Sequence, residues 1–277
     1  MPVDLPQSLI ESVKRKNCIA FIGSGLSVPA GLPSWRQLLE AMIKEGENEG
    51  LIKDGDQLRA ELKKDHFLEV SEYVRFRLGP HFYGSVVRQL IDKPSEPTDA
   101  HEMIVDTPYR AIITTNYDKL LETAYTLKHR RTPRKITWSQ PESLGSVLYE
   151  DAFFIFKLHG DVDNIESIVL SRRDYDDVMF RNPHIRTFLQ AILMTSTLLF
   201  IGYSIHDPDF EIAMAEVPLL FRGTTPVSFA LLPNVSEVFK EHYKHRMNIH
   251  VIPYDPHDNH IEVTNTIKMI RDAVKVV

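Results

Sequence analysis

Cysteine is almost missing: Cys18 is the single one in 277 residues. One thiol excludes an internal disulfide and a cysteine-rich zinc site, and it points to an intracellular setting. Long apolar runs are missing too. The most apolar stretches, Ala152–Phe156 and Ala191–Ile201, fall short of the about 20 residues that a membrane span needs. Met1 to Ile10 has no basic segment leading into an apolar core, so nothing reads as a secretory signal. Positive charge is not in excess. With 32 Lys and Arg against 38 Asp and Glu, the net charge of −6 argues against a general nucleic-acid grip but leaves room for a local phosphate pocket. No internal repeat and no low-complexity run is visible.

What is present is the composition of an ordinary soluble globule. A chain of this size makes one large domain or two modest ones and needs no disulfide or metal staple. Short apolar, β-rich runs read as buried strands. They are Cys18–Ile22, Arg110–Thr114, Phe153–Leu158, Ile168–Leu170, Leu198–Ile201, Val227–Leu232 and Ile249–Ile252. Helical patterns lie between them, as at Leu5, Leu9, Ile10 and Val13, and at Ile185, Phe188, Leu189 and Ile192. This alternation predicts an α/β fold: a mostly parallel sheet with helices on both faces. From Trp35 to Thr107 no strand is predicted. Helices over His66–Leu78 and His81–Ile91 suggest a helical insertion, residues 36–107, within a single domain of residues 1–277.

The informative residues follow the strands. Gly23-Ser24-Gly25-Leu26-Ser27 follows the first, then Gly31-Leu32-Pro33-Ser34-Trp35-Arg36. Thr115-Asn116-Tyr117-Asp118 follows the second, His159-Gly160-Asp161 the third, and Gly202-Tyr203-Ser204-Ile205-His206-Asp207-Pro208 the strand ending at Ile201. Ligands of open α/β sheets bind at the carboxyl ends of strands, so four such turns on one rim suggest a nucleotide-type pocket. Each turn also has a plainer reading. Gly23 and Gly25 make either a phosphate loop or a tight turn, because neither the full G-x-G-x-x-G spacing nor a Gly-Lys-Ser/Thr is present. Ser34 with Gln37 has the pattern of a capping box. Asn116 and Asp118 suit helix capping as well as a pocket. His159 is either a strand-end histidine held by the backbone or an acid/base group. Asp207-Pro208 fits a helix start.

Together these blocks resemble the sirtuin family of NAD-consuming enzymes. Gly23–Ser27 resembles the family's GAGxS loop, Gly31–Arg36 its G-I-P-x-F-R segment, and Thr114–Asp118 its T-Q-N-I-D. His159-Gly160 resembles its catalytic His-Gly, and Gly202-Tyr203-Ser204 its G-T-S ribose loop. The four-cysteine zinc module of the deacylases does not follow Gly160, and Ser34 and Trp35 replace the family's Asp and Phe. Residues 202–210 are similar to the prokaryotic zinc-free branch, whose members degrade NAD in anti-phage defence. The resemblance implies a Rossmann-like domain that hydrolyses NAD to nicotinamide and ADP-ribose, with no zinc.

The resemblance also implies roles. Asp118 would hold the nicotinamide carboxamide, Asn116 would orient water or ribose, and His159 would bind the ribose hydroxyls or take a proton. The loop residues Gly23, Ser24, Gly25 and Ser27, with Pro33, Arg36 and Thr115, would hold the cofactor, and Trp35 would cover the reactive carbon. Gly202, Ser204, Asp207 and Asn234 would serve the adenosine side. Two rival readings are an NAD- or ADP-ribose-binding regulatory module that does not cleave, and a deacylase without its zinc module.

His242 with His245, and His257 with His260, read as surface histidines or a weak metal site. The run Lys128–Arg131 with Arg134 reads as a solvated helix end, or as a weak nucleic-acid edge. An NADase needs control, and a chain of this length leaves little room for a sensor. Control is therefore expected from homo-oligomerisation or from a regulatory partner, which in similar defence systems is an ATPase or helicase or an Argonaute-like protein. The helical region Trp35–Thr107 is the expected assembly surface.

Overall fold

The computed structural model describes residues 4–150, 152–203, 214 and 216–275, apart from the side chains of residues 80 and 81. Seven strands form one sheet: β1 (Cys18–Ile22), β2 (Ala111–Thr114), β3 (Arg134–Thr137), β4 (Phe154–Lys157), β5 (Thr197–Ile201), β6 (Ser228–Pro233) and β7 (Ile249–Tyr254). The helices used below are α1 (Gln7–Lys14), α2 (Trp35–Asn48), α3 (Gly55–Leu62), α4 (Phe67–Ile91), α5 (Asp99–Asp106), α6 (Leu120–His129), α7 (Pro141–Ser146), α8 (Arg172–Arg181), α9 (Pro183–Thr195), α10 (Glu237–Met247) and α11 (His257–Lys275).

The strand order is β3-β4-β2-β1-β5-β6-β7, and every pairing is parallel. Strand alternation sends Ile19, Phe21, Phe156 and Phe200 into a core under α7, α8, α9 and α10. It sends Cys18, Ala20, Ile22, Ile155 and Leu199 into a second core under α1, α5, α6 and α11. Burial on both faces is why these strands read as unbroken apolar runs. Cys18 is fully buried, and burial pushes its thiol far above the usual range, which keeps it unreactive.

Two strand assignments need correction. Residues 168–170 form no strand; their apolar side chains, Ile168 and Leu170, pack into the core of the α2–α4 region. Their backbone partners fit that role: Val169 N–H donates to the His159 carbonyl (2.9 Å), and the Leu170 carbonyl accepts from Ser71 (2.8 Å). In the other direction, β3 was not expected; it begins at Arg134, the last residue of the basic stretch that read as a helix end. Helix α6 stops at His129, Arg130 turns left-handed (φ 55°), and Arg134 begins β3 paired with Glu150. As an edge strand β3 buries only Ile136, so it lacks the apolar run that marks the others.

Between β1 and β2 the regular elements are α2 to α5 and two short 3-10 turns. Helices α2, α3 and α4 share their own core, with Leu39, Met42, Ile43, Leu62, Val74 and Val87 at its centre. Helix α4 breaks at Gly79 (φ 72°, ψ 161°), the point that separates the two helices expected from sequence. The Ser34 capping box is present: Gln37 N–H donates to Ser34 Oγ (3.3 Å), and Ser34 N–H donates to Gln37 Oε1 (2.8 Å). Arg75 of α4 pairs with Asp174 of α8, tying this helical group to the sheet layer.

The strand order reverses at β1, which lies between β2 and β5, and this switch point opens a crevice at the carboxyl ends. There the chain after β1 crosses the chain after β5, backbone against backbone. Gly23 N–H donates to the Ile201 carbonyl and Gly25 N–H to the Gly202 carbonyl, each at 3.0 Å. A Cβ at Gly202 would stand 2.6 Å from the Leu26 nitrogen, and Gly202 is left-handed (φ 63°). Gly31 is left-handed as well (φ 84°), but open space surrounds its Cβ position. Gly31→Ala is therefore expected to carry only backbone strain, about 1–2 kcal/mol. Gly202→Ala must also push two backbones apart, so its thermal midpoint should fall well below that of Gly31→Ala. Equal midpoints in a melting comparison would contradict the crossing.

Candidate active site

An inner cavity of about 90 Å³ lies under the crossing. It is lined by Ser24, Ser27, Pro33, Trp35, Thr115, Asn116, Asp118, His159 and Gly202, which four separate post-strand segments bring together. Tyr117, Tyr175, Tyr203, Leu32, Leu38 and Ile91 complete its wall. A larger cleft of about 960 Å³ adjoins it, and Gly202 and Tyr203 face both. Gly25 and Ser34 line the cleft on one side; Pro233, Val235, Tyr243, Tyr254 and Val263 line it on another. A small pocket with a polar floor, adjoining a larger and more apolar cleft, suits one elongated ligand with chemically different ends.

The floor of the inner cavity is a hydrogen-bonded set of three side chains. Asn116 Nδ2 donates to Ser27 Oγ (3.0 Å) and to the Gly23 carbonyl (3.2 Å). Ser27 Oγ donates to Asp118 Oδ2 (2.8 Å). Asp118 Oδ1 accepts from Leu120 N–H (3.0 Å), so the carboxylate caps α6 while still facing the cavity. The two readings of Asp118 are thus compatible, because each oxygen takes one role. Thr114 Oγ1 accepts from Asn116 N–H (3.0 Å) and donates to the Ile22 carbonyl (2.9 Å), which fixes the turn between β2 and the floor. Asn116 Oδ1 is buried and has no protein partner. A buried acceptor left open at a cavity wall is where a ligand hydroxyl or a water can bond.

His159 is buried at the end of β4, and its ring meets Tyr175 edge-on (5.0 Å, 74°). Trp35 stacks on Phe67 (5.0 Å, 27°) and presents an indole N–H that has no protein partner. Arg36 does not line either cavity. Its guanidinium donates to the Leu62 carbonyl, pairs with Asp65 (2.7 Å) and lies over Phe67. Gly23 contributes its carbonyl to Asn116 rather than a wall. Asn234 is exposed and left-handed (φ 50°), between the cleft residues Pro233 and Val235. Ser204 and Asp207 lie outside the described residues. Among the described residues no group of three or more His, Cys, Asp or Glu side chains is placed to hold a metal. No described helix is long and apolar enough to cross a membrane.

Several wall residues were missed in sequence. Tyr117 and Tyr203 sit inside motifs already singled out. Tyr175, Tyr243, Tyr254 and Val263 carry no local signal; only the fold brings them to the crevice. Beneath the floor lies another missed residue, His101 of α5, with no exposed surface. Its Nδ1 accepts from Thr98 N–H (3.2 Å), which leaves the proton on a buried Nε2 without a partner.

A family model described as a SIR2-like domain matches residues 110–252, just over half of the chain. The NAD(+) hydrolase ThsA of Acinetobacter baumannii is 25% identical over 231 residues, 82% of this chain and 45% of that protein. Defense-associated sirtuin 2 of Bacillus subtilis is 22% identical over 251 residues, 86% of this chain and 23% of that protein. The chain spans about half the length of the curated ThsA relatives it matches, between 41% and 56%. Among solved structures, a SIR2 homologue–NAD complex aligns over 99% of this chain and 97% of its own with a TM-score of 0.52 at 13% identity, which shows a shared fold.

Burial pushes His101 down from its ordinary 6.5 to about 4, against the opposing pull of the Asp118 charge. The folded chain therefore keeps His101 neutral while the unfolded chain protonates it below about pH 6.5. Stability should fall as pH drops from about 6.5 to about 4, by up to about 3 kcal/mol from this group. His101→Asn keeps an acceptor for Thr98 N–H and cannot titrate. Denaturant melts across this range should show a shallower pH slope for the variant; parallel slopes would contradict a neutral buried His101.

Proposed function

The chain belongs to the SIR2-like family, and from that premise we propose that it is an NAD⁺ glycohydrolase that releases nicotinamide and ADP-ribose. One observation carries the reading: the Asn116–Ser27–Asp118 set, with an open buried acceptor, faces His159 across a small cavity that widens into a large cleft. The hydrolase activity named for the ThsA proteins supports it, as does the defence role named for the Bacillus sirtuin.

The chemistry asks little more than positioning. Nicotinamide is a cationic leaving group on a ribose carbon, and positive charge builds on the ribose as it departs. Asp118 binds the carboxamide with the oxygen that Ser27 orients. Asn116 Oδ1 takes a ribose hydroxyl or the attacking water. His159 bonds the ribose hydroxyls or takes the proton that water sheds as it adds. Trp35, Tyr117 and Tyr175 wall the pocket and limit water to the productive side. The diphosphate lies along Ser24 and Gly25, and the adenosine extends past Gly202 toward Pro233 and Asn234. In this reading Ser27 acts on Asn116 and Asp118 rather than on the diphosphate, since its hydroxyl is already shared between them. Arg36 reaches the diphosphate only by leaving Asp65.

We place the activity in prokaryotic anti-phage defence, in the cytoplasm, under control of self-assembly or of a partner such as an ATPase, a helicase or an Argonaute-like protein. Comparing NAD turnover across size-exclusion fractions tests the control: activity is expected in assembled fractions, and full activity in a dilute monomer would contradict it. For the chemistry, Asn116→Ala and His159→Ala should each lower kcat for nicotinamide release by about 100-fold or more. Parental rates in either variant, in a chromatographic nicotinamide assay, would sink these assignments.

A further inference from the structure

Lys157 ends β4, and its side chain has no exposed surface. It lines neither cavity. Its ammonium lies at the first turn of α6, a helix end that already carries partial positive charge. A cation buried there needs specific partners. It donates to the carbonyls of Tyr117 (3.1 Å) and Asp118, and it pairs with Glu122 (3.1 Å) and Asp161 (3.5 Å). Tyr117 and Asp118 belong to the loop that carries the cavity floor, whereas Asp161 belongs to the loop that carries His159. The pairs continue outward from Asp161 to Lys135 (2.7 Å), Asp163 (3.2 Å), Lys119 (2.6 Å) and Asp92 (3.3 Å).

An apolar residue of the same length would pack this core without a desolvated charge. It would also leave the Asp118 carbonyl without its donor, and of the ties between the two loops it would keep the Val162 N–H bond to the Tyr117 carbonyl (3.1 Å) but lose the lysine that both loops contact. Burial raises the Glu122 carboxyl while Lys157 pulls it down, so the ion pair alone is a poor reason for a lysine here. The carbonyl contacts are the better one.

We propose that Lys157 is a positioning residue: it locks the loop of Asn116 and Asp118 to the loop of His159 and so sets the span across which the substrate ribose is held. Its effect on rate rests on the NAD-cleavage reading; its effect on the loop rests on the contacts alone.

Lys157→Met keeps the straight stem but strands the charge of Glu122, so the variant to read is the pair Lys157→Met with Glu122→Gln. It should still fold, with a midpoint below the parent's because the Asp118 carbonyl loses its donor. Its kcat should still fall by about tenfold or more, with KM for NAD changed by less than about threefold. Hydrogen exchange at Thr115, Asn116 and Leu120 amides should quicken by about tenfold while β1 amides hold. Parental kcat and parental loop protection in the folded pair would overturn the proposal. If the parent cleaves no NAD, only the functional reading has failed, and the exchange data still decide the lock. If the pair does not fold, Glu122→Gln alone decides it. That variant keeps both carbonyl contacts and should stay within about threefold of the parent in kcat and loop exchange. A tenfold loss there would overturn the lock.

Discussion

The backbone contact between Gly25 and Gly202 is the constraint on which the rest of the site depends. The two loops approach so closely here that a Cβ on either glycine would meet the other loop's backbone, and they do so at the switch point of the sheet. The contact brings Ser27 within reach of Asn116 and Asp118, and it places Tyr203 between the inner cavity and the cleft. The parallel register does the rest. Ile22 pairs with Thr114 and with Ile201, so the turns that follow these strands begin at one level. Thr114 likewise pairs with Lys157, which sets the His159 turn at that level too.

Most polar groups in this buried floor have partners, as burial requires, and His101 Nε2 beneath it does not. Ser27, Asn116 and Asp118 use one another and the backbone; His101 stays neutral; Lys157 is surrounded by carbonyl and carboxylate oxygens. Two of the atoms left open are placed where a ligand can reach them. Asn116 Oδ1 and the Trp35 indole N–H both belong to residues that line the inner cavity. A rigid, desolvated floor with a single open acceptor is what a reaction driven by orientation requires, since misplacement of about 1 Å costs such a reaction about 100-fold.

The central strands and the four motif turns were legible in sequence because each strand is buried on both faces and each turn follows directly. The shared family pattern added the order of the blocks. Edge strand β3 was not legible, because one buried residue among Arg134, Lys135 and Thr137 makes no apolar run. Residues 168–170 misled for the opposite reason: they are apolar without pairing as a strand, Ile168 and Leu170 being buried by the helical group and Val169 in the core against the sheet. Within the site, Asn116, Asp118 and His159 could be named in advance, but not what holds them. Ser27 and Arg36 stand among the residues expected to hold the cofactor, and no local pattern shows that Ser27 also bridges Asn116 and Asp118 or that Arg36 pairs with Asp65. Lys157 read as the end of a strand, because no local pattern says that Glu122 and Asp161 will meet it.

The central claim is that water, admitted beside Asn116 and His159, replaces nicotinamide on the ribose. The most direct measurement is mass spectrometry of the products when the chain, with its assembly or partner in place, is given NAD in ¹⁸O-labelled water. The account predicts unlabelled nicotinamide and ADP-ribose carrying one labelled oxygen. Intact NAD that stays bound without cleavage, or ADP-ribose appearing only as an acyl ester when an acylated peptide is supplied, would contradict it.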